Sequence, residues 1–346
     1  MPPIAATAPD PDDMRAAVRA HPDHLQEGWE RGGAVESFRL DASSLNGVVV
    51  CGMGGSAIGG DLVRTLVEPS SPLPFVVNRG YTLPGWVSEK TLVVASSYSG
   101  GTEETLSAFA EARERGAQIV AVTSGGTLSE RADADRTVTI PGGLQPRAAL
   151  GYSLGVLLRL ARSMELTDLP DGVVDGALAA ARDRAGRYDQ DEEGNAPRDL
   201  SAAFVGALPV VYRGVGLLEA VGMRWQTQIN ENAKHPAVGN VFPELDHNEI
   251  MGYEAGPESV LSAWQVVVLR DRDDHPQIQK RFDATRRLVE GSVGGWHEVE
   301  TDGDSRLSRM LSLVQYGDWA SLWLALRKNV DPTPVETIQQ LKKTLA

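Results

Sequence analysis

Short apolar runs of three or four residues recur along the chain. Each is followed by a stretch with helical spacing. In the first half the runs are Val48-Val49-Val50-Cys51, Phe75-Val76-Val77, Leu92-Val93-Val94-Ala95, Ile119-Val120-Ala121-Val122 and Val138-Thr139-Ile140. Continuous rather than alternating apolar runs suit parallel strands covered on both faces. Between them, 54–66 and 102–115 predict helices, the second with Leu106 and Phe109 turned inward. Residues 12–32 predict one or two helices around Met14, Val18, Leu25 and Trp29, and 148–164 a helix apolar almost all round. After a charged stretch the alternation resumes, with strands at 208–212, 263–269 and 296–299 and helices at 217–229, 276–289, 307–326 and 334–345. The pattern is that of an α/β protein whose central parallel sheets are doubly wound and flanked by helices.

A chain of 346 residues is long for one hydrophobic core, so two domains are expected. Residues 1–165 are assigned to N-terminal helices plus a first domain, 166–198 to a helical and charged connection, and 199–346 to a second domain with C-terminal helices. The stretch Arg182–Arg198 and the run Asp271–Asp274 read as solvated. The first ten residues read as frayed.

Charge narrows the function. Thirty-three basic residues against 47 acidic give a formal charge of -14, which argues against nucleic-acid binding. A small anionic substrate stays open, because a few local donors can outweigh the global charge. No run of about 18 apolar residues exists to cross a membrane. No basic segment followed by an apolar run opens the chain, so the cytoplasm is the expected location. The single cysteine, Cys51, leaves no intrachain disulfide and no cysteine zinc cluster. His21 and His24 have the spacing of a helical metal pair but no third ligand, so neither metal nor cofactor is expected.

Three polar loops at successive strand ends carry the candidate chemistry. The first, Cys51-Gly52-Met53-Gly54-Gly55-Ser56, lacks both the full dinucleotide fingerprint and a P-loop lysine. It reads equally as a tight turn or as a ligand cradle. The second, Ser96-Ser97-Tyr98-Ser99-Gly100-Gly101-Thr102-Glu103-Glu104-Thr105, opens a helix. A helix cap formed by Thr102 would need one hydroxyl, and Ser97 and Ser99 exceed that need. Hydroxyls, backbone N–H groups and a helix N-terminus make an anion site without a lysine. Thr123-Ser124-Gly125-Gly126-Thr127 repeats the chemistry. Such loops line the crevice where open α/β sheets bind ligands.

The Gly-Gly-Ser turn and the Ser-Tyr-Ser-Gly-Gly-Thr loop resemble those of a sugar isomerase (SIS) domain. Asn230-Glu231-Asn232-Ala233-Lys234, Pro243-Glu244-Leu245-Asp246-His247-Asn248-Glu249 and Asp331-Pro332-Thr333-Pro334-Val335 with Leu341-Lys342 resemble the bifunctional phosphoglucose/phosphomannose isomerase family. The resemblance runs from about Gly47 to the C-terminus. It implies two SIS (flavodoxin-like) domains and a metal-independent aldose–ketose isomerase acting on glucose 6-phosphate or mannose 6-phosphate and fructose 6-phosphate. It also implies a homodimer with shared active sites. Gly54, Gly55 and Ser56 would lie at the sugar, and Ser97, Ser99 and Thr102 would hold the phosphate. Arg147 would stand beside the reacting carbons and Glu231 would be the base. His247, from the neighbouring subunit, would open the ring with Lys342, or with the adjacent Lys343, at the ring oxygen. Two departures are visible: Gly101 stands where the family often has asparagine, and the acidic stretch 189–194 is long.

These residue types suit the reaction. One carboxylate can carry a proton between C2 and C1, an arginine can stabilise an enediolate, and a histidine and a lysine can serve ring opening. Each also has a bland reading. Glu231 falls near a helix end, where an acid opposes the dipole; His247 could be a loop residue and Arg147 an ion-pair partner. Pro236 and Pro243 break any helix between Glu231 and His247, which leaves His247 free to swing toward a neighbouring subunit. The alternative function is a non-catalytic SIS regulator that senses a phosphosugar. Such a protein has no need of the Glu231, His247 and Lys342 set, and no basic module precedes Gly47.

Overall fold

A computed structural model of the protein describes residues 9–38 and 40–345, so most of the stretch expected to fray lies outside the described residues. Five parallel strands form the first sheet: β1 (Gly47–Cys51), β2 (Phe75–Asn78), β3 (Thr91–Ser96), β4 (Gln118–Thr123) and β5 (Thr137–Thr139). Their order is β2-β1-β3-β4-β5. Strands β1 and β3 are buried along their whole length, which is why their sequences are apolar without alternation. Helices Gly54–Val67 and Glu103–Glu114 follow β1 and β3. Helix His21–Arg31 packs on helix Leu150–Ser163 at glycine distance: a Cβ on Gly155 would run into the backbone of Leu25, Gly28 and Trp29.

The second sheet is also parallel. It comprises β6 (Leu208–Gly214), β7 (Val238–Phe242), β8 (Trp264–Arg270) and β9 (Gly295–Glu300), in the order β7-β6-β8-β9. Val210, Tyr212, Phe242, Val266, Val268 and Phe282 form one of its cores. Helices Glu219–Ala233 and Arg306–Arg327 meet through Trp225, whose Nε1 donates to the Leu313 carbonyl at 2.7 Å, and through the buried Arg224–Asp318 ion pair. The chain divides into two compact units. One comprises 20–182 with 305–307; the other comprises 183–304 and 308–345 with the residues before 20. Among the described residues no helix is long and apolar enough to cross a membrane.

Two stretches read as solvated are so only in part. Within 182–198, Arg184, Asp189, Asn195 and Arg198 are buried. Arg184 donates to Gln315 and Asp302, Asp189 meets Arg15 and Arg19, and Arg198 pairs with Asp191 and Asp199. In the run 271–274, Asp271 is 3% exposed and bonds Arg309 and Thr301, while the Asp274 carboxylate accepts the Asp271 N–H. Charge density along a sequence does not distinguish charges that face water from charges that pair inside. Strand β7 was not anticipated. It is an edge strand with Gly239 and Asn240 at its middle, and so carries no apolar run.

Candidate functional site

In a sheet of order β2-β1-β3-β4-β5, the connections diverge between β1 and β3, and the crevice at their C-terminal ends is the natural ligand site. The glycine turn after β1 stands there, with Gly54 at φ +51°. A Cβ on Gly55 would lie 2.6 Å from the Pro146 carbonyl and 3.2 Å from the Arg147 nitrogen, so only glycine lets the two backbones approach. This contact sets Arg147, 3% exposed, beside the turn. Ser56 is buried, and its Oγ accepts the Tyr98 N–H at 3.2 Å, tying the first loop to the second.

The second loop keeps its hydroxyls off the helix cap. Thr102 is the N-cap residue of Glu103–Glu114, yet its side chain makes no capping bond; Oγ1 pairs instead with Ser97 Oγ at 2.9 Å. The helix cap that would have been the bland use of Thr102 is therefore not made, and Thr105 behind it is buried. Ser99 is exposed, and its Oγ accepts the Gly101 N–H at 3.3 Å. Gly100, at φ +67°, lies against the Gly125 carbonyl, and the Tyr98 carbonyl accepts the Ser124 N–H at 3.1 Å. The Tyr98 hydroxyl accepts the Leu144 N–H at 3.0 Å, which pins the segment leading to Arg147. The result is a braced cluster of three hydroxyls at a helix N-terminus, a donor set with the chemistry to meet a compact anion.

In the other unit, Glu231 is half-buried on the last turn of Glu219–Ala233, whose buried side includes Val221, Trp225 and Ile229. The helix ends at Lys234, which takes a left-handed conformation with φ +46°. Its Nζ donates to the Glu231 carbonyl at 2.8 Å and to the Pro332 carbonyl at 2.9 Å. Lys328 Nζ donates to the Ala233 carbonyl at 2.8 Å. Two ammonium groups thus serve the carbonyls of the helix end and offset the dipole that would otherwise disfavour an acid there. A cavity of about 440 Å³ opens beside it, lined by Asn230, Glu231, Lys234, Pro334, Val335 and Glu336 among others. Sequence reasoning missed the parts played by Lys234 and Glu336; a left-handed lysine leaves no signature in composition.

Lys342 lies on helix Glu336–Leu345 and is exposed. Among the described residues, the cavity lining reaches Ile338 on that helix and stops short of Lys342. His247 is exposed at the end of a 3₁₀ turn, Glu244–His247, and does not line that cavity. Its segment is not free to swing. Strand β7 pairs with β6 immediately before it, and Leu245, 0% exposed, roots the turn in the core of its own domain. His24 stacks on Tyr152 at 4.5 Å, and burial lowers its pKa. Among the described residues no group of three or more His, Cys, Asp or Glu side chains is placed to hold a metal ion.

Residues 44–155 match the SIS domain family, and 193–345 match the bacterial phospho-glucose isomerase C-terminal SIS domain. The chain is 44% identical over 337 residues to the bifunctional phosphoglucose/phosphomannose isomerase of Caldicellulosiruptor bescii, covering 96% of this chain and 99% of that one. It is 35% identical over 324 residues to the protein of the same name from Aquifex aeolicus, with coverage of 92% and 96%. A solved hypothetical protein from Thermus thermophilus shares the fold with a TM-score of 0.72 at 16% identity, over 97% of this chain and 91% of that one.

Proposed function

The chain belongs to the bifunctional phosphoglucose/phosphomannose isomerase family, and from that premise we propose that it interconverts glucose 6-phosphate and mannose 6-phosphate with fructose 6-phosphate without a metal ion. The observation that carries the reading onto this chain's own residues is the hydroxyl loop, where Ser97 and Thr102 pair with each other instead of capping the helix. Ser97, Ser99 and Thr102 hold the phosphate, and Gly54, Gly55 and Ser56 form the turn at the sugar. Glu231 takes a proton from C2 and returns it to C1, or the reverse. The intermediate enediolate carries growing negative charge, which Arg147 stabilises. A carboxylate that reaches C2 from either side accepts both configurations at that carbon. His247 and Lys342, or Lys343, move protons at the anomeric hydroxyl and the ring oxygen so that the ring opens first. The enzyme works in the cytoplasm as a homodimer, with Glu231 of each site from one subunit and His247 from the other.

A coupled assay of the purified protein in the presence of EDTA tests this. Formation of fructose 6-phosphate from both aldose phosphates is the expected result. Tight binding of sugar phosphates without turnover would overturn it in favour of a regulator, and loss of turnover with EDTA, restored by zinc, would overturn the metal-free chemistry.

A further inference from the structure

We infer that Asp246 is a positioning residue for the reaction: through Arg281 and Thr285 it fixes the turn that presents the His247 imidazole. The inference rests on the ring-opening role proposed for His247. Asp246 directly precedes His247 and its side chain is 10% exposed. Its carboxylate is bound within its own domain. One oxygen accepts from Arg281 Nη1 at 2.8 Å and the other from Thr285 Oγ1 at 2.9 Å. Both donors stand on helix Pro276–Val289, which is seated in the sheet core through Ile278 and Phe282.

The far side of His247 is held in the same way. Glu249, two residues on, accepts from the Tyr212 hydroxyl and from Asn240 Nδ2, the latter at 2.6 Å. Those partners belong to β6 and β7. Asn248 closes the turn on itself, donating to the Glu244 carboxylate at 2.8 Å and accepting the Glu249 N–H at 2.6 Å. Every polar side chain from Glu244 to Glu249 is therefore engaged except one. Among the described residues the His247 imidazole has no hydrogen-bond partner, and it is exposed. A turn clamped by a carboxylate on each side, with a single unengaged imidazole between them, is the arrangement a proton-transfer group needs when its ligand arrives from outside its own domain. Proton transfer is steep in distance, and a misplacement of about 1 Å costs on the order of 100-fold.

The step controlled by His247 can be read separately from the isomerisation, as the rate at which the enzyme exchanges the two anomers of glucose 6-phosphate, followed by NMR exchange spectroscopy. His247→Ala should abolish that acceleration. Glu231→Gln should keep it and lose isomerisation. Asp246→Ala should lower anomer exchange by about 10- to 100-fold and leave KM for fructose 6-phosphate within about twofold, because the phosphate loop is untouched. Thr285→Val, which removes one of the two clamping bonds, should give a smaller loss in the same direction. A folded Asp246→Ala enzyme with wild-type anomer exchange would overturn the inference. If that variant does not fold, wild-type exchange in Thr285→Val overturns it instead. Wild-type exchange in His247→Ala would remove the role of His247 itself, an outcome distinct from failure of the clamp.

Discussion

A hydroxyl spent on a helix cap is not available to a ligand, whereas two hydroxyls paired with each other can both turn to one. That distinction sets expectations for the proposed phosphate loop. Thr102→Ala should mainly raise KM for the sugar phosphates, by about 10-fold for one lost bond to a charged group, with kcat little changed because the phosphate does not react. A fall in kcat at unchanged KM would contradict the assignment. Glu231→Gln should behave in the opposite way. The amide keeps the shape and loses the base, so kcat should drop by about 10²–10⁴-fold with sugar-phosphate binding retained in a titration. The hydroxyl cluster was legible in the sequence because Ser97, Ser99 and Thr102 outnumber what a cap requires. The supports of Glu231 and His247 were not. Lys234 meets Glu231 through a left-handed backbone, and Asp246 meets Arg281 and Thr285 across 35 and 39 residues, separations that no local pattern encodes.

Elements were legible where burial is symmetric. Strands β1, β3, β6 and β8 bury most of both faces and read as apolar runs, and the helices between them follow from periodicity. The edge strand β7 was missed because it carries no apolar run, and the burial of Arg184 and Asp189 within 182–198 because their partners lie far along the chain. Two stability predictions belong here. Gly155→Ala should push helices His21–Arg31 and Leu150–Ser163 apart, since the added Cβ meets backbone that cannot rotate away. A loss of about 1–3 kcal/mol is expected, read from a denaturant midpoint. Asp274 lies just before helix Pro276–Val289, and burial pushes its pKa up to about 6. A carboxyl whose folded pKa lies above its unfolded value of about 3.9 binds protons more tightly when folded. Its charged form therefore costs stability at neutral pH, and the cost disappears as pH falls through 6 toward 4. Asp274→Asn should accordingly raise Tm at pH 8, by an increment worth at most about 3 kcal/mol, and leave it unchanged near pH 4. Equal Tm shifts at both pH values would show that the acid is not strained.

For the whole molecule, the two sheets share a winding but not a chemistry. The second sheet also diverges at its centre, between β6 and β8, but there the loop after β8 presents Asp271, Asp273 and Asp274 where the first sheet presents serines and a threonine. Arg309 is engaged by Asp271 and Asp273, and Gly214 lies against Asp274. Carboxylates at that place repel a phosphate, so the proposed phosphate site stays with the hydroxyl loop of the first sheet, in a protein whose formal charge is -14. One proposed phosphate site per chain fixes the arithmetic for the proposed homodimer. Glu231→Gln and His247→Ala subunits, each inactive alone, are to be mixed and allowed to exchange. If Glu231 and His247 of one site come from different subunits, a mixed dimer holds one intact site and one doubly defective site. Random pairing makes half the dimers mixed, so about a quarter of wild-type activity should return. If both residues of a site come from one chain, every site keeps a defect. No activity would then return, even with subunit exchange verified by mass-tagged chains, and the shared site would have to be abandoned. Because the His247 turn is rooted in its own domain, recovery also requires no refolding of that turn; it should follow the rate of subunit exchange and nothing slower.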